Sequence, residues 1–210
     1  VIISRDRIGE KPLYFYTHRK FFAFSSDLKS FDKLPGFKKK LNYEAIYNYF
    51  YLNYIPTPQS IFLNIFKLPQ STFLTINLNK YEYNNYNAFE EIKNNHYLKI
   101  NKYWNDINTN QNKSSFSNIL QKTELLLTKS IDEKLISDVP ICTFLSGGVD
   151  SSIIATLLSQ INKNIDTFTV KFDKSEYDES NFANEISSCL GLKNHKLSIT
   201  KYEINDCIPL

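Results

Sequence analysis

The sequence predicts an α+β half followed by an α/β half within one chain of 210 residues. In the first half, short apolar segments are separated by a few polar residues, which is the spacing of antiparallel hairpins. In the second half, apolar runs of strand length alternate with segments whose apolar residues recur at a helical period. Alternation of strand and helix favours a parallel sheet with right-handed crossovers.

The first half contains several predicted strands and one predicted helix. The helix is predicted over 43–54, where the apolar residues follow a helical period. Pro56 and Pro58 follow that segment and act as stop signals. Strands are predicted at Val1–Ile3, Leu13–Tyr16, Phe21–Ser25 and 72–78.

The middle of the chain, 84–115, is rich in Asn, Lys and Tyr and shows little sustained periodicity. Such a stretch is typical of a linker or a surface excursion. We therefore expect one domain over 1–83, a linker or surface excursion over 84–115, and a second domain over 116–210.

The second half begins with a predicted helix and continues as strand, helix, strand, helix, strand. The first strand, Ile141–Leu145, is a continuous apolar run, which predicts a strand buried on both faces. The later strands are predicted at Thr167–Phe172 and His195–Ile199. The helices are predicted at 116–137, 150–161 and 177–190.

The composition is that of an ordinary globular protein, with 42% hydrophobic residues, 22% charged residues and a formal net charge of +3. Charges of both signs are mixed along the chain, so nothing argues for a nucleic-acid partner. No apolar run approaches the roughly 20 residues of a membrane-spanning helix, so no membrane partner is predicted. The chain begins Val-Ile-Ile and has no methionine, which predicts a piece of a longer protein.

The three cysteines, Cys142, Cys189 and Cys207, are widely spaced. An odd number without a CxxC pair disfavours a disulfide framework and a zinc site. Unpaired cysteines are typical of a reducing compartment, so we expect a cytoplasmic location. Cys142 lies in the predicted buried strand and is expected to be an inert small hydrophobic residue.

The segment SGGVDSS, at 146–152, joins the predicted strand Ile141–Leu145 to the next helix. Open α/β sheets bind ligands at the carboxyl ends of their strands. Glycines there let backbone N–H groups converge, the serines add hydroxyls, and the helix N-terminus carries about half a positive charge. These features predict an anion site suited to phosphate. Asp150 is interpreted either as a helix cap or as a contact to magnesium that accompanies the phosphates.

Three other interpretations of the SGGVDSS loop are a plain turn and two other kinds of phosphate-binding loop. The first is a plain strand-to-helix turn with an aspartate cap, which the full SGGVDSS string after a buried strand disfavours. The second is a Walker loop, which lacks its GK[ST] here. The third is a Rossmann dinucleotide loop, which lacks its GxGxxG.

Two further sets of polar residues have a structural interpretation. The scattered histidines are expected to be surface or packing residues: His18, His96 and His195. A group of carboxylates follows the second strand of the α/β half: Asp173, Glu176, Asp178 and Glu179. A solvated loop is the default for such a group, and an approach to magnesium is the alternative.

The loop resembles the SGGxDS pyrophosphate loop of the N-type ATP pyrophosphatases, which cleave ATP between the α and β phosphates. A wider resemblance is to the glutamine-hydrolysing asparagine synthetases. In the second half it is carried by SDVPICTFLSGGVDSSIIATLL (137–158), TFTVKFD (167–173) and YDESNFANEIS (177–187). In the first half it is carried by RDRIGEKPLYFY (5–16), FAFSSDLKSF (22–31) and EAIYNYFYLNYIPTPQSIFLNIFKLPQSTFL (44–74).

The resemblance implies the carboxyl-terminal part of an N-terminal-nucleophile glutaminase sandwich, followed by the start of a parallel-sheet ATP pyrophosphatase domain. It implies amidation of aspartate to asparagine through β-aspartyl-AMP, with ammonia from glutamine and release of AMP and pyrophosphate. The implied small molecules are aspartate, glutamine and ATP with Mg²⁺, and a homodimer is compatible with it. The ATP and pyrophosphate contacts would come from Phe144, Leu145, Ser146, Gly147, Gly148, Asp150, Ser151, Ser152 and Val170.

The resemblance also has limits. The family's nucleophilic cysteine is expected upstream of Val1, so no catalytic residue is assigned here and the 210-residue chain alone is expected to be inactive. Arg5 and Asp6 are expected to be structural. The family's KLPPG turn is KLPQS at 67–71, so this turn is expected to differ. Amidotransferases of this architecture that act on another carboxylate or a sugar, and a non-catalytic nucleotide-binding fragment, remain alternatives.

Overall fold

A computed structural model describes residues 1–18, 20–79, 86, 88–93, 95–105, 114–162, 164–172 and 178–199. The chain divides into two compact units, Val1–Asn110 and Gln111–Leu210. Helices and three-stranded sheets occur in both units. The domain limits expected from the sequence stay predictions.

The first unit contains two antiparallel sheets of three strands. One sheet has the order β1-β5-β6 and the other the order β3-β2-β4. The predicted hairpin is present, with Tyr14 opposite Ser25 and His18 opposite Phe21. The strands are β1 Ile2–Ser4, β2 Tyr14–His18, β3 Phe21–Ser25, β4 Ile65–Lys67, β5 Thr72–Ile76 and β6 Leu98–Lys102.

Both sheets of the first unit contribute side chains to one core. Phe15 and Phe66 come from the β3-β2-β4 sheet, and Leu74 and Leu98 from the β1-β5-β6 sheet. Phe15, Leu74 and Leu98 have no exposed surface. Burial of a side chain of this size stabilises a fold by about 1.5–3 kcal/mol, so this shared core holds the two sheets together.

The main helix of the first unit is α1, Tyr43–Leu52, as its helical period predicts. Asn42 begins it, since its side-chain oxygen accepts a hydrogen bond from the Ala45 N–H. Asn53 ends it in a left-handed conformation with φ 61°, before Pro56 is reached. A 3₁₀ helix at Leu28–Lys33 precedes α1.

Part of the expected linker belongs to the core of the first unit. Helix α2, Phe89–Lys93, and strand β6 fall within 84–115, and β6 pairs with β5. Phe89 and Ile92 pack in the same core as Phe15. The linker interpretation is therefore wrong for this part. Apolar residues three apart are sufficient to bury a short helix, although asparagines and lysines surround them.

The second unit has the predicted alternation of strands and helices. Its sheet has the order β7-β8-β9, and both neighbouring pairs run parallel. The sheet strands are β7 Cys142–Phe144, β8 Asp166–Phe172 and β9 Asn194–Ile199. The helices are α3 Phe116–Asp132, α4 Val149–Ile161 and α5 Ser180–Leu190.

The first strand of this sheet is much less buried than its sequence predicts. Leu145 is buried, but Cys142 and Phe144 are exposed, Phe144 by 78%. The reason is that β7 lies at the edge of the sheet formed by the described strands, while α4 and α5 pack together around Leu145. The prediction of a strand buried on both faces is therefore wrong for the described residues, as is the inert interior role of Cys142.

Within the described residues, no helix combines the length and the apolar character that crossing a membrane requires.

Candidate functional site

The SGGVDSS loop begins at the carboxyl end of β7 and leads into α4. Leu145 follows β7, and its N–H still donates to the Phe168 carbonyl of β8 at 2.9 Å. Ser146, Gly147 and Gly148 then leave the sheet, and α4 begins at Val149. The loop therefore lies at the edge of a parallel sheet where ligands of open α/β folds bind.

Gly147 is held against the first turn of α5. Its φ is +87°, which side chains rarely adopt. A Cβ atom at this position would be 2.7 Å from the Phe182 Cβ and 3.1 Å from the Ala183 nitrogen. From the sequence, close approach of an anion is the predicted reason for a glycine here. The structure adds a different reason, which is the close approach of a helix.

Gly148 is under no such constraint from the protein. It is the N-cap of α4 with φ −72° and ψ 161°, a conformation open to any residue. Among the described residues, an added Cβ would meet only the Ser146 Oγ atom within 4 Å, at 3.4 Å. Glycine is itself a favourable N-cap residue, and approach of an anion stays the prediction.

Three serine hydroxyls close the loop on itself. The Ser151 and Ser152 hydroxyls donate to the Gly148 carbonyl at 3.1 and 2.6 Å. The Ser151 Oγ atom accepts from the Ser146 N–H at 3.3 Å and lies 3.0 Å from the Ser146 Oγ atom. The Ser146 Oγ atom in turn accepts from the Gly148 N–H at 3.3 Å. The loop is thus pre-shaped by hydroxyls that can exchange these partners for phosphate oxygens.

The N-terminus of α4 has no side-chain cap. Gly148 offers none, and Asp150 lies in the first helical turn rather than at the capping position. The capping interpretation of Asp150 is therefore wrong, although its charge there complements the helix dipole. The first-turn amides, which have no partners inside a helix, receive no side-chain acceptor from the described residues. They are suitable donors to an anion.

The residues present are compatible with magnesium carried by phosphates. No hydrogen bond or ion pair ties the exposed Asp150 carboxylate to another residue that the structure describes. The described residues contain no group of three metal-ligating side chains. Mg²⁺ typically uses one or two carboxylates together with substrate phosphates, so one exposed carboxylate beside a phosphate loop fits that pattern.

The two strand residues predicted to contact nucleotide differ in their surroundings. Phe144 is 78% exposed at the end of β7, so it is not a plain core residue. Val170 is half-buried in β8, opposite Leu197 of β9. Strand β8 continues to Phe172, whereas its pairing with β7 ends at Phe168. The backbone around Val170 is thus presented beside the loop, where β7 no longer covers it.

The carboxylate group after β8 is only partly described, because Asp173 and Glu176 lie outside the described residues. Asp178 accepts a hydrogen bond from the Ser180 N–H at 3.1 Å. Hydrogen bonds from the Ser180 side chain and backbone lower the pKa of Asp178, so this carboxylate is engaged at the start of α5. Glu179 is the N-cap residue of α5 and makes no side-chain cap hydrogen bond.

The histidines lie away from the loop or in the other unit. His195 lies 2.7 Å from the Asp166 carboxylate and stacks on Phe168 with ring centroids 4.7 Å apart. Asp166 begins β8, so this pair is at the end of the sheet opposite to the loop. His18 and His96 belong to the first unit, and the predicted packing role suits His18, whose ring lies 4.6 Å from that of Phe21.

Arg5 and Asp6 organise the backbone of the first unit, as predicted. The buried Arg5 guanidinium donates to the carbonyls of Gly9, Lys11 and Leu68. The Asp6 carboxylate accepts from the N–H groups of Ile8, Glu10 and Lys11. Each side chain makes three hydrogen bonds to backbone groups, which supports a structural role.

The KLPQS turn contains a residue in a left-handed conformation. Ser71 has φ 58° and is buried. It stands where the resembled family has glycine. Its hydroxyl donates to the Arg7 carbonyl at 2.6 Å, and its N–H donates to the Asp6 carbonyl at 2.9 Å. These bonds hold a backbone conformation that otherwise favours glycine.

Sequence reasoning missed two neighbours of the loop. One is the first turn of α5, which touches Gly147. The other is Thr169, which is buried and donates from its hydroxyl to the Leu145 carbonyl at 2.7 Å. The available signal was a threonine on the buried face of the alternating strand TFTVKF, where an apolar residue would be expected.

Comparison with known protein families gives two matches in tandem. The glutamine amidotransferase domain family matches residues 1–87, and the asparagine synthase family matches residues 122–210. Together they leave only residues 88–121 unmatched.

Individual relatives span both segments. A putative asparagine synthetase [glutamine-hydrolyzing] 2 of Methanocaldococcus jannaschii is 29% identical over 212 residues, covering 99% of this chain and 38% of the relative. Asparagine synthetase [glutamine-hydrolyzing] 1 of Bacillus subtilis is 26% identical over 206 residues, covering 98% of this chain and 30% of the relative. The chain therefore spans well under half the length of these curated relatives.

Among solved structures, NMN synthetase from Francisella tularensis aligns with this chain over 47% of this chain and 42% of the synthetase chain. The identity is 18% and the TM-score is 0.34, a likeness too distant to support an argument.

Proposed function

We propose that this chain is part of a two-site amidotransferase, because residues 1–87 match the glutamine amidotransferase domain family and residues 122–210 match the asparagine synthase family. In the whole protein, one site releases ammonia from glutamine and the other uses ATP to activate aspartate, which becomes asparagine. The names of the relatives, which are asparagine synthetases, support this choice of substrate.

The observation that carries the ATP site is the loop 146–152. It combines the carboxyl end of a parallel strand, an uncapped helix N-terminus and three hydroxyls within a few residues. These groups are donors gathered within seven residues of the loop, and the loop carries no Walker lysine. The arrangement favours a loop that holds the pyrophosphate leaving group of ATP.

In the proposed reaction, a β-carboxylate oxygen of aspartate attacks the α-phosphorus of ATP. The bond from that phosphorus to the bridging oxygen breaks, and pyrophosphate leaves into the loop formed by Ser146–Ser152. Ammonia then attacks the acyl carbon of β-aspartyl-AMP, and AMP leaves with the oxygen that came from aspartate. Asp150 would hold a magnesium ion that neutralises charge on the phosphates.

The glutamine reaction is proposed for the whole protein. It would use a cysteine nucleophile through a thioester, and the resemblance puts that cysteine upstream of Val1. Residues 1–110 contain no cysteine. Cys142 and Cys189 lie in the second unit, and Cys207 lies outside the described residues.

We further propose that the first unit is part of an N-terminal-nucleophile sandwich and the second the start of an ATP pyrophosphatase domain. The first proposal is supported by two antiparallel sheets that share one core. The second is supported by the parallel sheet with the loop at its carboxyl edge. The cytoplasmic location and a homodimer stay predictions.

Oxygen labelling tests the proposed function in the whole protein. Aspartate labelled with ¹⁸O in its side-chain carboxylate is incubated with ATP and glutamine, and AMP is analysed by mass spectrometry. We expect one labelled oxygen in AMP for each asparagine formed. Label transfer from another acid but not from aspartate would assign a different acceptor, and release of ADP and phosphate would reject the adenylation mechanism.

A further inference from the structure

The hydrogen bonds of Leu145 show how the loop is attached to the sheet. The Leu145 N–H donates to the Phe168 carbonyl at 2.9 Å, which extends the pairing of β7 with β8 by one residue. The Leu145 carbonyl accepts from the Thr169 hydroxyl at 2.7 Å, and both groups are buried. In a regular parallel ladder, a backbone N–H of β8 would occupy that position. A side-chain hydroxyl therefore closes the ladder immediately before Ser146.

The Asn194 side chain lies against two threonines of β8. One terminal atom of its amide is 3.0 Å from the hydroxyl oxygens of both Thr167 and Thr169. The other terminal atom is buried without a partner among the described residues. The Thr167 hydroxyl also reaches the Lys193 carbonyl at 3.2 Å, as the Thr169 hydroxyl reaches that of Leu145.

Counting protons assigns the Asn194 amide. A hydroxyl has one proton to donate, and the carbonyls of Lys193 and Leu145 can only accept. Each threonine can therefore donate fully to its carbonyl only if it does not also donate to Asn194. Turning the amide so that its nitrogen faces Thr167 and Thr169 meets this condition, because its two protons then serve the two hydroxyls. This orientation pairs the NH₂ group and leaves the amide oxygen as the buried atom without a partner among the described residues.

We propose that Thr169 is a positioning residue for the pyrophosphate loop and that Asn194 directs its hydroxyl proton. Asn194 donates to Thr169, and Thr169 donates to the Leu145 carbonyl, so the end of β7 is fixed from the far strand β9. The orientation of that peptide group sets the direction in which Ser146–Gly148 leave the sheet. The identity of the bound anion rests on the proposed function, whereas the effect on the loop does not.

Thr167 provides a matched comparison. It lies on the same strand and the same face as Thr169, is equally buried and shares the Asn194 amide. Its hydroxyl, however, goes to the Lys193 carbonyl at the start of β9 instead of the loop. If both threonines only stabilised the fold, replacing either one should affect the loop equally. If Thr169 positions the loop, only its replacement should affect the loop.

The test uses the complete chain and the variants Thr169→Val, Thr169→Ser and Thr167→Val. Amide hydrogen exchange of residues 146–149 is measured together with the Kd for pyrophosphate. We expect Thr169→Val to speed loop exchange and to weaken pyrophosphate binding by about tenfold each, the size of one lost buried hydrogen bond. Thr169→Ser should restore both, and Thr167→Val should change neither. Equal loop effects of the two valine variants would overturn the proposal.

Asn194→Asp provides an independent test should Thr169→Val fail to fold. The carboxylate has the shape of the amide but cannot donate to the threonines, so loop exchange should rise as in Thr169→Val. Loop exchange like that of the unaltered chain would overturn the proposal. Failure of the unaltered chain to bind pyrophosphate or ATP would count against the proposed function alone, because the exchange comparison still decides the role of Thr169.

Discussion

Gly147 and Phe182 approach so closely that a methyl group on Gly147 would lie 2.7 Å from the Phe182 Cβ atom. The loop before α4 is therefore in contact with the first turn of α5, although 34 residues lie between Gly147 and Phe182 in the sequence. Of the two glycines that look equivalent in SGGVDSS, Gly147 is constrained by contact with α5, whereas no described residue constrains Gly148 in this way.

Alanine substitutions at Gly147 and Gly148 test this difference between the two positions. Gly147→Ala should lower the free energy of unfolding of the second unit by about 2–4 kcal/mol, from backbone strain and the clash with α5. Gly148→Ala should change it by less than about 1 kcal/mol, because its backbone suits any residue. Amide exchange of α4 and α5 peptides in increasing urea measures both.

Pyrophosphate binding by the stable Gly148→Ala variant then tests the approach of the anion. If a phosphate oxygen packs against Gly148, the added methyl group should raise the Kd for pyrophosphate at least about tenfold. An unchanged Kd would show that the anion does not come close to Gly148. A stability of Gly147→Ala equal to that of the unaltered chain would show that α5 moves away at little cost.

The elements of the second unit were predictable because their patterns are long and regular. Helix α4 has one apolar side over 13 residues, and apolar and polar residues alternate in β8 over TFTVKF, residues 167–172. The exposure of Phe144 was not predictable, because it depends on which elements cover an edge strand. The contact of Gly147 with α5 is likewise a property of tertiary packing that no local pattern records.

In the first unit, two strands could not be predicted from the sequence, one because it is short and the other because of its polar composition. Strand β4 has three residues, too few for a period to be recognised. Strand β6, LKINK, is surrounded by asparagine and lysine, yet Leu98 has no exposed surface. Burial of one or two apolar side chains was enough to make that segment a core strand, although the residues around it are polar.

Asp150→Asn should weaken binding of ATP in the presence of Mg²⁺ by about tenfold and leave binding of metal-free ATP unchanged or slightly stronger. The amide has the same shape but is a poor magnesium ligand, and it removes a negative charge next to the phosphates. Calorimetric titrations with and without Mg²⁺ measure the two affinities.

Asp178→Asn is the comparison for Asp150→Asn, because asparagine can also accept the hydrogen bond from the Ser180 N–H. We expect its affinity for Mg²⁺-ATP to remain within about twofold of that of the unaltered chain, since this carboxylate is already engaged. A larger loss for Asp178→Asn than for Asp150→Asn would assign the magnesium to the acidic group after β8 instead.

Ser71 allows a test of how a side chain compensates for a missing glycine. Ser71→Ala keeps the left-handed strain and loses the hydrogen bond to Arg7, so it should cost about 1–2 kcal/mol. Ser71→Gly loses the same bond but relieves about 1 kcal/mol of strain, so its stability should be close to that of the unaltered chain. Urea unfolding followed by fluorescence of Trp104, the single tryptophan, reports on this unit. Equal losses in both variants would show that the backbone at Ser71 is unstrained.

The Asp6 carboxylate should make the stability of the first unit depend on pH. Hydrogen bonds from the backbone N–H groups of Glu10 and Lys11 hold the pKa of Asp6 below its ordinary value of 3.8. A carboxylate whose pKa is lowered by folding stabilises the fold above its unfolded pKa, and that contribution is lost as the pH falls through the folded pKa. Asp6→Asn keeps an acceptor but cannot titrate. The stability difference between the unaltered chain and Asp6→Asn, measured by Trp104 fluorescence in urea, should therefore be constant above about pH 5 and shrink towards pH 3. A difference that stays the same across this range would show that the carboxylate charge contributes nothing to the turn.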